Sequence, residues 1–177
     1  MPKDSPQTNP PQAQISFYAL SGHLDLETLC LEGQISNQTM IILINGGSTH
    51  NFMQECLVKH LGLMAQPTQS LKVMVGNSNE VDYHYLCPGV MVHVQERVFT
   101  VDLHVLPLCG ADIVLSVQWL KSLGPVLTDY NYLTMKFIHE GKFIEQNGDT
   151  DMGMRSITLP QLRSMIRTNS VSDYFHI

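Results

Sequence analysis

The stretch 41-IILINGGSTHNF-52 runs four apolar residues into Asn45-Gly46-Gly47-Ser48-Thr49 and then a polar turn. An apolar strand that ends in a small-residue loop delivers one side chain to a fixed point. Here that side chain is Asn45, an amide that offers hydrogen bonds but no useful proton exchange near neutral pH. A loop shaped for chemistry therefore ends in a residue with no acid or base.

On the N-terminal side, Leu29–Ile35 reads as a strand, the polar Ser36–Gln38 as a turn, and Met40–Ile44 as a short strand buried on both faces. The sequon Asn37-Gln38-Thr39 falls in that turn. Ile15–Leu20 reads as a further strand, and the Pro- and Gln-rich residues 1–14 as a disordered leader. On the C-terminal side the period changes. Phe52, Cys56, Leu57, His60 and Leu61 fall on one face of a short helix, which Gly62 stops. Leu71, Val73 and Val75 then alternate up to a turn at Gly76–Asn79. Val90–Val94 and Phe99–Val105 form a long hairpin about Gln95-Glu96-Arg97.

A second apolar run, Ala111–Leu115, ends in Ser116 and leads into a short helix over Val117–Leu123, stopped by Gly124-Pro125. Asp129 reads as part of the turn that follows. Tyr132–Phe137 and Lys142–Ile144 make a last hairpin around His139-Glu140-Gly141, and Thr158 caps a short helix reaching Arg167, with Pro160 in its first turn. The expected division is a leader over 1–14, a mostly β domain over 15–146, and a linker-like tail with a short helix over 147–177.

Composition limits the function. The net charge of −6 supplies no basic field for a phosphate backbone, so no nucleic-acid partner is expected. Cys30, Cys56, Cys87 and Cys109 form no CxxC pair, and no metal or other cofactor is expected. His50 and His60, ten residues apart across the expected helix, read as solvent-facing or capping rather than as a metal pair. The N-terminus shows no signal-peptide h-region and no apolar run is long enough to span a bilayer. The expectation is a chain without a membrane partner, cytoplasmic or nuclear.

Two features then combine. One apolar strand enters a Gly-Ser-Thr loop, and roughly seventy residues later a second enters a small residue and a short helix. This resembles the retropepsin-like aspartic proteases, in particular those of plant gypsy-type long-terminal-repeat retrotransposons. There the first motif reads approximately ID(S/T)GS(S/T)HNF, against Ile44–Phe52 here. The second reads VLPLxGxDxVLGVQWLxxLGP, against Val105–Pro125. The resemblance covers about residues 15–145, and Leu159–Ile166 resembles the linker that follows the protease in the element's polyprotein.

The resemblance implies a closed antiparallel β-barrel of the acid-protease type with one or two short helices. It implies a homodimer whose two subunits each supply one catalytic loop, formed by residues 45, 46, 47 and 48, with an extended peptide in the inter-subunit cleft. Val75, Gly76 and Asn77 resemble the tip of the flap that closes over substrate. The resemblance also implies that Val114, Leu115 and Ser116 are structural residues near the site.

Three positions depart from that pattern. Asn45 stands where the family has its catalytic aspartate. Paired carboxylates share one proton and activate a water between them, which an amide cannot do. Losing one general acid or base costs on the order of 10²–10⁴ in rate, and a homodimer loses both at once. Gly46 replaces a Ser or Thr and loses a hydroxyl. Ser116 replaces a glycine and is expected to crowd the loop. Asp112 reads as a loop acid outside the catalysis, and Trp119 as core. The Asn45-Gly46 pair is also the dipeptide most open to deamidation, although a rigid loop resists the cyclic intermediate and its hydrolysis gives mainly isoaspartate.

Three functions follow as expectations. The first is an inactive protease domain acting through dimerisation or peptide binding. The second is an active or residually active aspartic endopeptidase, or an engineered Asn45 form of one. The third is a domesticated regulator forming mixed dimers with active homologues.

Overall fold

A computed structural model describes residues 12–14, 29–74, 80–108 and 111–148. The strand expected over Ile15–Leu20, the flap tip expected at Val75–Asn77 and the helix expected after Thr158 lie outside these. Among the described residues, eleven strands and two helices follow the order β1 (Gln12–Gln14), β2 (Leu29–Ile35), β3 (Gln38–Asn45), β4 (Phe52–Gln54), α1 (Glu55–His60), β5 (Gln66–Met74), β6 (Glu80–Val94), β7 (Arg97–Leu106), β8 (Ile113–Ser116), α2 (Val117–Leu123), β9 (Val126–Asp129), β10 (Thr134–His139) and β11 (Lys142–Asn147).

The neighbour order β6-β2-β3-β8-β4-β7 closes through a β6–β7 pairing into a six-stranded barrel. Strands β1 and β5 extend it beyond β6, and β9–β11 form a separate antiparallel sheet. The barrel is closed and mostly β, as expected, but it is mixed rather than wholly antiparallel. Strands β3 and β8 run parallel, as do β4 and β7, and the other four ring pairings are antiparallel. The parallel β3–β8 pair makes both apolar runs end side by side.

Local chemistry explains the elements. The β2–β3 hairpin turns at Ser36 and Asn37, both at positive φ (48° and 65°), the pair of left-handed residues a two-residue hairpin turn demands. Strand β3 is buried from both sides. Met40 and Ile42 pack into the larger core cluster with Leu31, Val92, Leu103, Ile113 and Leu115. Leu43 packs into a second with Cys30, Phe52, Leu71, Val73 and Val114. This two-sided burial is why its sequence is a continuous apolar run rather than an alternating one. Helix α2 closes one end by laying Trp119 edge-to-face on Phe99, with ring centroids 5.4 Å apart.

Several elements differ from the sequence reading. The helix expected from Phe52 begins at Glu55, because Phe52 and Met53 are strand residues pairing with His104 and Val105 on one side and Val114 and Ile113 on the other. Helical and extended backbones both bury Phe52, so periodicity alone does not separate them. Strand β6 starts ten residues before Val90, at Glu80, and carries a bulge between Cys87 and Val90. Pro88 has no N–H to give the ladder, and Gly89 sits at φ 61°, donating its N–H to Asp102 Oδ1 at 2.8 Å. Val126–Asp129 is a strand rather than a turn. Asp129 ends it, and its Oδ1 accepts the N–H groups of Asn131 (2.9 Å) and Tyr132 (3.3 Å). Within the stretch expected to be a disordered leader, Gln12, Ala13 and Gln14 instead form β1 and pair parallel with Lys72, Val73 and Met74. An edge strand held by backbone bonds needs no apolar face.

Candidate functional site

The site is built where β3 and β8 end together, with Asn45 directly beside Ser116 in the parallel register. Past that point the two strands diverge. Strand β3 enters a tight turn closed by the Ser48 N–H on the Asn45 carbonyl at 3.2 Å. Within it the Gly47 N–H donates to Asn45 Oδ1 at 2.8 Å, so the side-chain amide is folded onto its own loop. Ser48 is fully buried beneath this turn, whereas Gly46 and Gly47 are exposed. Strand β8 instead enters α2, and the Val117 N–H bonds the Ser48 carbonyl at 3.1 Å, tying helix to turn.

Ser116 contradicts the expectation that it crowds the loop. It is fully buried and fully used. Its N–H and hydroxyl both donate to Asn51 Oδ1, each at 2.9 Å, and its Oγ accepts the Gln118 N–H at 3.1 Å as the helix N-cap. A glycine would leave that cap and one hydroxyl bond unmade. Gly46 likewise has room: a Cβ added there meets nothing nearer than Leu120 Cδ1 at 3.8 Å, and its φ is not left-handed.

Two residues that carry this arrangement went unassigned in the sequence. Asn51 holds Ser116 through its side chain, while its carbonyl accepts the His104 N–H at 2.9 Å. The signal available was a polar amide directly before a buried run, Asn51-Phe52-Met53. The second is His104, which meets His50 edge-to-face at 5.2 Å. His50 therefore packs against His104, not His60, and its Nδ1 is 2.9 Å from Thr49 Oγ1. Burial holds the His104 imidazole down to about 4, with His50 adding to the effect and Asp102 opposing it. Burial also lowers His50. Both rings thus favour the neutral form into mildly acid solution.

Asp112 is structural. Its Oδ2 accepts the Ile41 N–H at 2.7 Å, its N–H donates to the Ile41 carbonyl at 3.0 Å, and its carbonyl accepts the Gln54 N–H at 2.9 Å. It clamps the start of β8 to β3, at the far end of the register from Asn45. Val114 and Leu115 are buried core on the same strand. Val75, Gly76 and Asn77 lie outside the described residues; on either side of them Val73 pairs with Val81 and Met74 with Glu80.

Other chemistry finds little support. Among the described residues no group of three or more His, Cys, Asp or Glu is placed to hold a metal ion. The Cys56 and Cys87 thiols are pushed up chiefly by burial, and Cys56 also by Asp112, so neither is an activated thiolate. Among the described residues no helix is long and apolar enough to cross a membrane. A groove of about 530 Å³ runs between α1 and Asp82–Tyr85, and another of about 360 Å³ lies beside the β6–β7 turn and β11. Neither is lined by a residue of the 45–48 turn.

With this geometry in place, comparison with known proteins defines the class. Residues 28–134 match the retroviral aspartyl protease family, and the chain belongs to that family. Among solved structures it is similar to the retroviral protease-like domain of Ddi1 from Leishmania major, with a TM-score of 0.55 and 11% identity, covering 72% of this chain and 98% of that one. At that identity the likeness is one of fold. A protease–reverse transcriptase of prototype foamy virus overlaps at a TM-score of 0.36 and 16% identity, over 53% of this chain and 11% of that one. No curated protein sequence matches significantly.

Proposed function

We propose that this is a retropepsin-like domain, of plant gypsy-type retrotransposon descent, that has kept the protease scaffold and lost its acid. Asn45 occupies the place of the catalytic aspartate. The observation that carries this is the register Asn45↔Ser116, which sets the loop side chain at the joint end of two buried parallel strands. An amide there hydrogen-bonds but cannot hold the shared proton on which a carboxylate pair depends.

The domain acts, on this reading, as a homodimer that binds an extended peptide segment without cutting it. Strand addition uses backbone hydrogen bonds and side-chain pockets, neither of which needs acid chemistry. The exposed Gly46-Gly47 turn supports the dimer, since a single chain leaves this loop open on one side. A cytoplasmic or nuclear site of action belongs to the same proposal and is read by imaging a tagged chain.

The test is sedimentation equilibrium at micromolar concentration, followed by titration with a library of extended peptides at mildly acid pH. Expected are a two-chain species and saturable peptide binding with every peptide intact by mass. A monomer without peptide affinity, or cleavage by the freshly purified protein with Asn45 intact, would overturn the proposal.

A further inference from the structure

We propose that Asn45-Gly46 is a self-modification site, at which the loop's own backbone converts the amide to a carboxylate. The reaction is intramolecular. The Gly46 amide nitrogen loses its proton and attacks Asn45 Cγ; the new N–C bond closes a five-membered succinimide, and the side-chain nitrogen leaves with the proton as ammonia. Water then opens the ring at one of its two carbonyls. Opening at the side-chain carbonyl regenerates the normal backbone with aspartate at position 45, and opening at the other gives isoaspartate. Water is the only co-reactant.

Four features of the loop favour that closure. Asn45 Oδ1 is held at 2.8 Å by the Gly47 N–H. That bond folds the side chain back over the intervening Gly46 peptide, whose nitrogen is the one that must attack. The same N–H donates to the oxygen on which negative charge develops as the tetrahedral intermediate forms, the role of an oxyanion donor. Gly46 brings no Cβ to hinder the approach, and the space beside it is open out to Leu120 Cδ1. Gly46 and Gly47 are exposed, so water reaches the ring and ammonia leaves. The tight turn closed by Ser48 N–H on the Asn45 carbonyl opposes the reaction by resisting ring formation. Its two glycines are the residues best able to relax it.

The consequence rests on the reading of Asn45 as the lost acid. Newly made chains carry no carboxylate at position 45, and ageing installs it chain by chain. A dimer needs two, so proteolysis would rise with the square of the fraction of chains carrying aspartate at position 45. Isoaspartate chains, whose carboxylate is displaced by one backbone atom, would contribute nothing.

The experiment incubates the folded protein in heavy-oxygen water at mildly alkaline pH, followed by peptide mapping of residues 41–52 and a cleavage assay with and without pepstatin. Asn45→Asp serves as the activity reference and Gly46→Ala as the blocked variant, which the open space beside Gly46 allows to fold. Expected is heavy oxygen at position 45 in the wild type, as both aspartate and isoaspartate, with loss of most of that labelling in Gly46→Ala and pepstatin-sensitive cleavage growing with the aspartate fraction. Intact Asn45 in the folded chain, while the urea-unfolded chain is labelled, would overturn the proposal. Equal labelling in Gly46→Ala would overturn it too. Labelling without cleavage, with Asn45→Asp also inactive, would leave the modification standing and remove the reading of a repairable protease.

Discussion

Asn51 and Ser116 decide whether the loop holds its shape. Asn51 Oδ1 accepts two hydrogen bonds from a fully buried partner, so Asn51→Ala orphans the Ser116 N–H and hydroxyl together. The expected loss is about 1–3 kcal/mol, read as a lower urea midpoint at unchanged slope. Ser116→Ala removes the α2 cap as well as one of those bonds and is expected to cost about 1–2 kcal/mol. Gly46→Ala should go the other way, by about 0.4–1 kcal/mol, because its backbone and surroundings accept a methyl while the unfolded chain loses freedom. His104 sets a pH dependence. Its folded value of about 4 lies below the ordinary 6.5, so between these the unfolded chain binds more protons. Stability is therefore complete above about pH 6.5 and declines as pH falls toward 4, with His50 adding to the decline and Asp102 opposing it. Urea midpoints measured across this range should fall for the wild type and flatten in His104→Phe. Equal slopes would assign the effect elsewhere.

At the scale of elements, what the sequence made legible was what burial alone determines. Met40–Ile44 and Ile113–Leu115 are apolar because both faces of the sheet cover them, and both were readable as strands. Hairpin turns at Ser36-Asn37 and Gln95-Glu96 were readable from their polar residues. Three features were not. Phe52–Gln54 is extended only because β7 and β8 flank it, a long-range pairing invisible in local periodicity. Glu80–Gly89 carries polar residues along a strand that pairs on both sides, and its bulge hides the alternation. The role of Ser116 depended on Asn51, sixty-five residues away in sequence. The closest packing within the barrel wall is testable at Gly33, where a Cβ would press on Ile42 Cδ1 and come within 2.8 Å of the His93 carbonyl. Gly33→Ala is expected to destabilise by about 1–3 kcal/mol, since the carbonyl belongs to the neighbouring strand and cannot step aside. A neutral result would mean that β2 and β6 are further apart than this register requires.

For the whole molecule, the family was legible because two motifs, at Ile44–Phe52 and Val105–Pro125, are brought side by side by one parallel strand pair. What the sequence left open was whether the residues at 45, 46 and 116, which differ from the resembled motifs, act on the loop together. The fold separates them. Positions 46 and 116 are accommodated, one by open space and one by a set of hydrogen bonds; on the proposed reading, position 45 is then the single chemical deficit. One substitution therefore tests the site most directly. Freshly purified wild type and Asn45→Asp are to be compared on the same peptide library at mildly acid pH, with and without pepstatin. Pepstatin-sensitive cleavage by Asn45→Asp alone is the expected result. Cleavage by the fresh wild type, or none by Asn45→Asp although it folds and dimerises, would contradict the claim that this chain is a protease scaffold lacking only its acid.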